Sequence, residues 1–339
     1  MVTKHFLEVD FAKGFAIILA VFGHAAPDAV KGFWIVGTDS ISASLHYLVY
    51  SFHMALFFAC SGFLLYPKFN IEGGAFCEIS KRFKKLMIPY FFLSFLYLGG
   101  KLIGGGLADN QLTDNPFIAI LFGSSPCFGA WFLWVLFVMT LITLCLRRIN
   151  LWALLGAAFL ISFIPLNYGD NFMGLNKTQE NMMWLIFGCL VRKYYHLISQ
   201  RINIRIGLLA AIILIVIHMN GRYFADMSFV IQHSLVIIKT LSGITASFVF
   251  CYHLASQYST DSVSKVFKLC GDYCMDIYIL SMFVLVPLRI VYVNLGGMNY
   301  IPYYPWLLTA TILGVLLPII ASKYVVRKTK ILKLLLLGG

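Results

Sequence analysis

Asp10, Lys13 and His24 all lie in the first apolar stretch of this chain, DFAKGFAIILAVFGH. Ionisable side chains inside a hydrophobic span are costly to bury, so they mark a working site before they mark a packing accident. Lys13 and His24 are eleven residues apart. On a helix that is about 1100° of rotation, or three turns and roughly 20°, with about 16 Å along the axis. One face therefore carries a cation at one depth and an imidazole at another. An imidazole can take the proton of a hydroxyl as that hydroxyl attacks a carbonyl. An ammonium can stabilise an oxyanion or hold an anionic donor.

Only a membrane-embedded scaffold positions such residues in this chain. The 339 residues are 60% hydrophobic and 12% charged, with a mean hydropathy of +0.84. A water-soluble domain of this size could not hide that much apolar surface. Ten apolar segments are expected, at 6–26, 45–66, 86–106, 128–146, 150–166, 182–198, 204–220, 234–257, 274–295 and 304–326. The reading is an all-α polytopic membrane protein of about ten transmembrane helices, with residues 1–339 as a single integral-membrane domain and both termini cytoplasmic. Asp10 and Lys13 interrupt the first segment and no small-x-small site follows it, so a cleaved signal peptide is not expected.

The net charge of +12 follows the same topology. With the amino terminus inside, most lysines and arginines fall in inner loops and tails, among them Lys68, Lys81, Arg82, Lys84, Lys85, Lys265 and Lys268. Lys31, Lys101, Lys177 and Arg222 fall outside. That asymmetry is the positive-inside pattern, so the basic charge sets orientation and no nucleic-acid partner is expected. The eight cysteines form no CxxC pair, so neither a metal site nor a disulfide is expected. Cofactor loops, GxSxG elbows and zinc-protease motifs are absent, which removes kinase, redox and metalloprotease chemistry.

Several further residues qualify as site candidates. His53, in the second segment, could approach His24 from a neighbouring helix, or could simply bond a backbone carbonyl. Arg82 and Lys85, three apart before the third segment, suit the phosphates of a cytosolic donor, although the same cations also serve topology and anionic lipid. Trp131 and Trp134 open the fourth segment, where an aromatic belt or a stacked substrate would place them. Arg289 is expected to snorkel to headgroups or to meet an anionic substrate. Lys239 and His233 receive no role, and His46, His218 and His253 read as interface or packing residues.

Taken in order, these pieces resemble the acyltransferase-3 family of ten-span bacterial membrane proteins. The residues that carry the resemblance are Asp10-x-x-Lys13-Gly14 with His24, then Phe52-His53-Met54 with Phe57-Phe58-x-x-Ser61-Gly62-Phe63. Arg82-x-x-Lys85 with Ile88-Pro89-Tyr90 follows, then Trp131-Phe132-Leu133-Trp134, and Gly271 with Ile277-Tyr278-Ile279-Leu280. Two positions depart from the family pattern. Ser281 stands where many relatives carry histidine, and Lys85 where arginine is usual.

The resemblance implies transfer of an acyl group, often acetyl, from cytosolic acyl-CoA to a hydroxyl of a cell-surface or lipid-linked carbohydrate. The implied setting is a bacterial inner membrane. His24 becomes the leading catalytic residue, as base or acyl carrier, with His53 as its possible partner. Lys13, Arg82 and Lys85 become donor-binding candidates, with Asp10, Trp131 and Arg289 in support. Acyl-CoA, the glycan acceptor and membrane lipids are the expected partners, and no permanently bound cofactor is expected. The competing class is a transporter of a lipid-linked sugar or small anion with His24 and Lys13 as gate or relay. It would need no acyl-CoA, and the internal repeat common in transporters is absent. An inactive assembly partner is the third class. The loop at 107–127 is expected to shape acceptor choice.

Overall fold

The computed structural model describes residues 6–26, 40–70, 74–104, 115–127, 129–165, 172–256 and 262–339. All regular structure among them is helical. Lys31 and the 107–114 part of the loop expected to shape acceptor choice lie outside the described residues. In chain order the helices are α1 (Leu7–Ala25), α2 (Ile41–Tyr50), α3 (His53–Leu65), α4 (Gly74–Gly104), α5 (Pro116–Leu121) and α6 (Trp131–Cys145). Next come α7 (Leu151–Ser162), α8 (Leu175–Lys193), α9 (Tyr195–Arg201), α10 (Ile204–Met219) and α11 (Gly221–Phe224). The chain closes with α12 (Phe229–Ser256), α13 (Ser262–Asp272), α14 (Cys274–Asn294), α15 (Tyr303–Ala321) and α16 (Lys330–Leu337).

Polar side chains start several of these helices by taking up amide hydrogens that have no partner within the helix. Ser40 accepts from Ala43 N at 3.3 Å to open α2. Asn150 accepts from Trp152 N at 2.8 Å to open α7, and Asn203 from Arg205 N at 3.0 Å to open α10.

Among the described residues, four helical stretches are long and apolar enough to cross a bilayer: Ile41–Phe69, which runs through α2 and α3, Phe229–Ser256, Cys274–Asn294 and Tyr303–Val326. α9 and α10 together meet the same test but turn by 90° between them. α6 and α7 are apolar but have only 15 and 12 residues. They are therefore about 22 and 18 Å long, short of a hydrocarbon core about 30 Å thick. α1 carries Glu8, Asp10 and Lys13 in its first two turns. The segment expected at 182–198 is divided, because α8 ends at Lys193 and α9 begins at Tyr195. Apolar runs also gave no sign of α13, which is amphipathic and joins no ten-residue apolar stretch.

The chain forms two compact units. One comprises Met1–Cys60 with His196–Ser322, the other Ser61–Tyr195 with Lys323–Gly339. In the first, α1 packs against α2, α12, α13, α14 and α15. Its buried face is made of small residues, Ala12, Gly14, Ala16, Ala20 and Gly23 among them, which lets backbones approach closely where hydrophobic driving force is weak. The contact with α13 is backbone on backbone. A Cβ on Gly14 would sit 2.1 Å from Phe267 O, and one on Gly271 would sit 2.1 Å from Asp10 O. In the second unit, α4 packs on α6 and α16, while α8 packs on α6 and α7. Tyr90, buried at mid-α4, donates to Ile120 O at 2.9 Å and holds α5 against that helix.

Gly271→Leu is therefore expected to push α13 off α1 and cost at least about 3 kcal/mol by overpacking. Gly156→Ala, where nothing lies within 4 Å of the added carbon, is expected to be neutral. Thermal unfolding of the two variants in detergent reads the difference.

Candidate active site

The first unit gathers the ionisable residues of α1 into two clusters, one at each end of that helix. At the amino-terminal end, Asp10 is buried at 8% exposure. Its Oδ1 lies 2.7 Å from Lys13 Nζ, and its Oδ2 lies 3.7 Å from Lys268 Nζ on α13. Lys268 also pairs with Asp272 one turn on. The four groups carry two positive and two negative charges, so the cluster is balanced, which is the condition for holding ions in a low-dielectric interior. Cys274 Sγ reaches Lys13 O at 3.8 Å, fixing the start of α14 beside the same turn of α1. Lys13 is thus a paired lysine.

At the carboxyl-terminal end, His24 Nδ1 lies 3.1 Å from Tyr50 Oη. Arg289 on α14 donates through Nη2 to His24 O at 2.8 Å, capping the last turn of α1 with a cation where its dipole is negative. His46 Nδ1 donates to Gly23 O at 3.0 Å, and its ring stacks on Tyr50 with centroids 4.0 Å apart. Tyr50 in turn lies 4.8 Å from the ring of His53. The His24 imidazole thus meets Tyr50, while Arg289 and His46 hold the backbone of the same turn and His53 packs on Tyr50, residues drawn from α2, α3 and α14.

This arrangement alters the pairing expected from the sequence. His53 is buried and its Nδ1 bonds Val49 O at 2.9 Å, the backbone-carbonyl alternative. Tyr50 stands between His53 and His24. Arg289 is brought to His24, but through the backbone carbonyl. Sequence reasoning missed Tyr50 and Lys268 and set His46 aside as packing. Their signals were present as pairs four residues apart, His46 with Tyr50 and Lys268 with Asp272, which share a helix face.

Arg82, Lys85 and Trp131 belong to the second unit. Arg82 Nε donates to Glu78 at 3.0 Å, an i,i+4 pair on α4. The end of α16 packs against the turn bearing Lys84 and Lys85, with Gly338 directly over Lys85 Cα. Trp131 is half-buried at the start of α6. Its neighbour Trp134 is the better anchored of the two, donating to Met173 O at 2.9 Å and lying 5.1 Å from the ring of Tyr90.

Residues 6–322 match a family model described as an acyltransferase domain. The chain is similar to the nodulation protein NolL of Sinorhizobium fredii, 31% identical over 173 residues that cover 47% of this chain and 42% of that protein. It is similar to NolL of Mesorhizobium japonicum at 29% identity over 171 residues, with the same two coverages. The matched region thus spans less than half the length of these curated relatives. No solved structure matches the chain.

The shared carboxylate makes a double-mutant prediction. Asp10→Asn leaves Lys13 and Lys268 without their common counter-ion and is expected to cost about 3 kcal/mol. Lys268→Met placed on Asp10→Asn should recover part of that loss, giving a coupling of about 1 kcal/mol or more. Thermal unfolding of the native protein, both single variants and the double variant measures it.

Proposed function

We propose that this chain, which belongs to the acyltransferase-3 family, is a membrane-bound O-acyltransferase. It moves an acyl group, acetyl by first choice, from cytosolic acyl-CoA to a hydroxyl of a cell-surface or lipid-linked carbohydrate. The observation that carries the reading is the setting of His24, whose Nδ1 meets Tyr50 Oη while Arg289 and His46 hold the last turn of α1. An imidazole fixed through one nitrogen offers a defined direction for the chemistry of the other.

In the proposed reaction Nδ1 carries the ring proton and donates it to Tyr50, so Nε2 is the base. Nε2 takes the acceptor's hydroxyl proton as its oxygen bonds to the acyl carbon. The carbon–sulfur bond then breaks, and the coenzyme A sulfur leaves with the proton from the imidazolium. In the covalent version Nε2 bonds to the acyl carbon as the carbon–sulfur bond breaks and coenzyme A leaves as its thiolate. The acceptor oxygen then displaces the imidazole from that carbon, and its proton goes to the thiolate. Lys13, about 16 Å down the helix from His24, is too far to act on the same carbonyl and serves the donor end with Asp10 and Lys268. Arg82 and Lys85, on the second unit, are the donor-phosphate candidates by their chemistry, since guanidinium and ammonium groups suit phosphate oxygens. Trp131 supports the second unit's aromatic face, and His53 backs Tyr50.

The orientation that fits this scheme has both termini cytoplasmic, ten crossings in a bacterial inner membrane and His24 towards the outer side. The excess of basic residues in the inner loops supports it.

Acyl transfer from radiolabelled acetyl-CoA into carbohydrate and lipid fractions of inverted vesicles tests the assignment. His24→Ala is expected to lose at least about a hundredfold, the usual contribution of a general base. Tyr50→Phe should lose about tenfold, the worth of one orienting hydrogen bond to a charged group. His53→Ala should stay within that tenfold. Full transfer by His24→Ala at normal abundance would overturn the role given to it.

A further inference from the structure

Three polar side chains outside this site meet where α2, α10 and α12 come together. His218 Nε2 lies 2.9 Å from Ser44 Oγ, and His218 Nδ1 lies 3.2 Å from Lys239 Nζ. Lys239 is the eleventh residue of the 28-residue α12, about 15 Å along a helix long enough to cross the bilayer. Among the described residues no carboxylate pairs with it, and His218 is its polar contact.

The direction of these bonds decides what the cluster can do. An ammonium only donates, so Nδ1 of His218 accepts from Lys239 and the ring proton sits on Nε2, which donates to Ser44 Oγ. The serine is therefore not prepared as a nucleophile, because that would need Nε2 to take its proton. What remains is a set of outward donors, the Ser44 hydroxyl and the other ammonium hydrogens, with no acid to satisfy them. Such a set in an apolar belt calls for an anion. Ser44 is exposed, and its exposed surroundings on these helices include the apolar side chains of Ile41, Leu45, Ile215, Met219 and Val236. The anion must then be carried on an apolar body.

We propose that Ser44, His218 and Lys239 form a binding site for the phosphate group of a membrane amphiphile, whose chain lies along that apolar surface. A lysine acts on phosphate as a point charge, and donors converging from two helices, with His218 of the third holding both in place, suit a tetrahedral oxyanion better than the planar fork of a carboxylate partner. The phosphate can belong to a bilayer phospholipid or to a lipid-linked glycan. The second source rests on the acyltransferase reading. It would place the phosphate six residues, about 9 Å along α2, from Tyr50.

Native mass spectrometry of the full chain tests the site, with phosphatidylglycerol, phosphatidylcholine and a polyprenyl phosphate offered at equal concentration. The two anionic lipids are expected to be retained about tenfold better than phosphatidylcholine, with Lys239→Gln removing that preference. Lys239→Arg should keep most of it, and Ser44→Ala should weaken it about threefold. Lys265→Gln, which deletes the same charge from an exposed position on α13, should leave retention unchanged. Stronger retention of polyprenyl phosphate identifies a lipid-linked ligand, and stronger retention of phosphatidylglycerol a bilayer lipid. Equal retention of all three lipids by native protein overturns the proposal, as does an equal loss in Lys239→Gln and Lys265→Gln. His24→Ala should bind as the native protein does, so a failure of acyl transfer with binding intact counts against the proposed reaction alone.

Discussion

The Asp10 carboxylate, held between Lys13 and Lys268 where α1 and α13 touch backbone to backbone, is the interaction on which the first unit turns. A lone carboxylate or ammonium in that position would be too costly to keep ionised. The second lysine comes from a helix more than two hundred residues away, and it reaches Asp10 because Gly14 and Gly271 remove the side chains that would separate the two backbones. Close approach and charge balance therefore require each other. Together they fix the height and rotation of α1, and with it the direction in which His24 points three turns later.

The far end of α1 depends on a different device. α2 stops at Tyr50, two residues short of α3, and the break is fastened from outside by Thr240, which donates to Ser51 O at 2.8 Å. Phe52 fills the space over Gly243 on the same helix, where a Cβ would lie 2.3 Å from its ring. His46, Tyr50 and His53, spaced four and then three residues apart, keep one face across this break and stack as a group beside the last turn of α1. Lys239 immediately precedes Thr240, so one short stretch of α12 both secures the His24 shell and carries the proposed phosphate site.

Much of this was legible in the residues. Asp10, Lys13 and His24 announced themselves by being charged or titratable in an apolar run, and helical spacing correctly placed them on one element. The helical class followed from composition. Their partners were harder to read, because each is supplied by tertiary contact across a long sequence separation. Lys268 looked like one more inner-loop cation, and its helix is amphipathic and short enough to escape a search for spans. Nothing but its spacing from His46 set Tyr50 apart. Arg289 read as a side chain that snorkels to headgroups or meets an anionic substrate, whereas one of its donors goes to a backbone carbonyl at a helix end. The length of α6 and α7 was invisible for another reason. Apolar runs continue into the turns that follow them, and hydropathy does not mark where the backbone stops being helical.

The most direct test of the acyltransferase account is release of free coenzyme A by purified protein in lipid nanodiscs, followed as the appearance of its thiol in the presence of a membrane glycan fraction. The account predicts acceptor-dependent release by the native chain and its loss in His24→Ala, with both proteins equally folded. No release from acetyl-CoA, succinyl-CoA or longer donors by folded native protein would contradict it and favour a role in moving, rather than modifying, the membrane substrate.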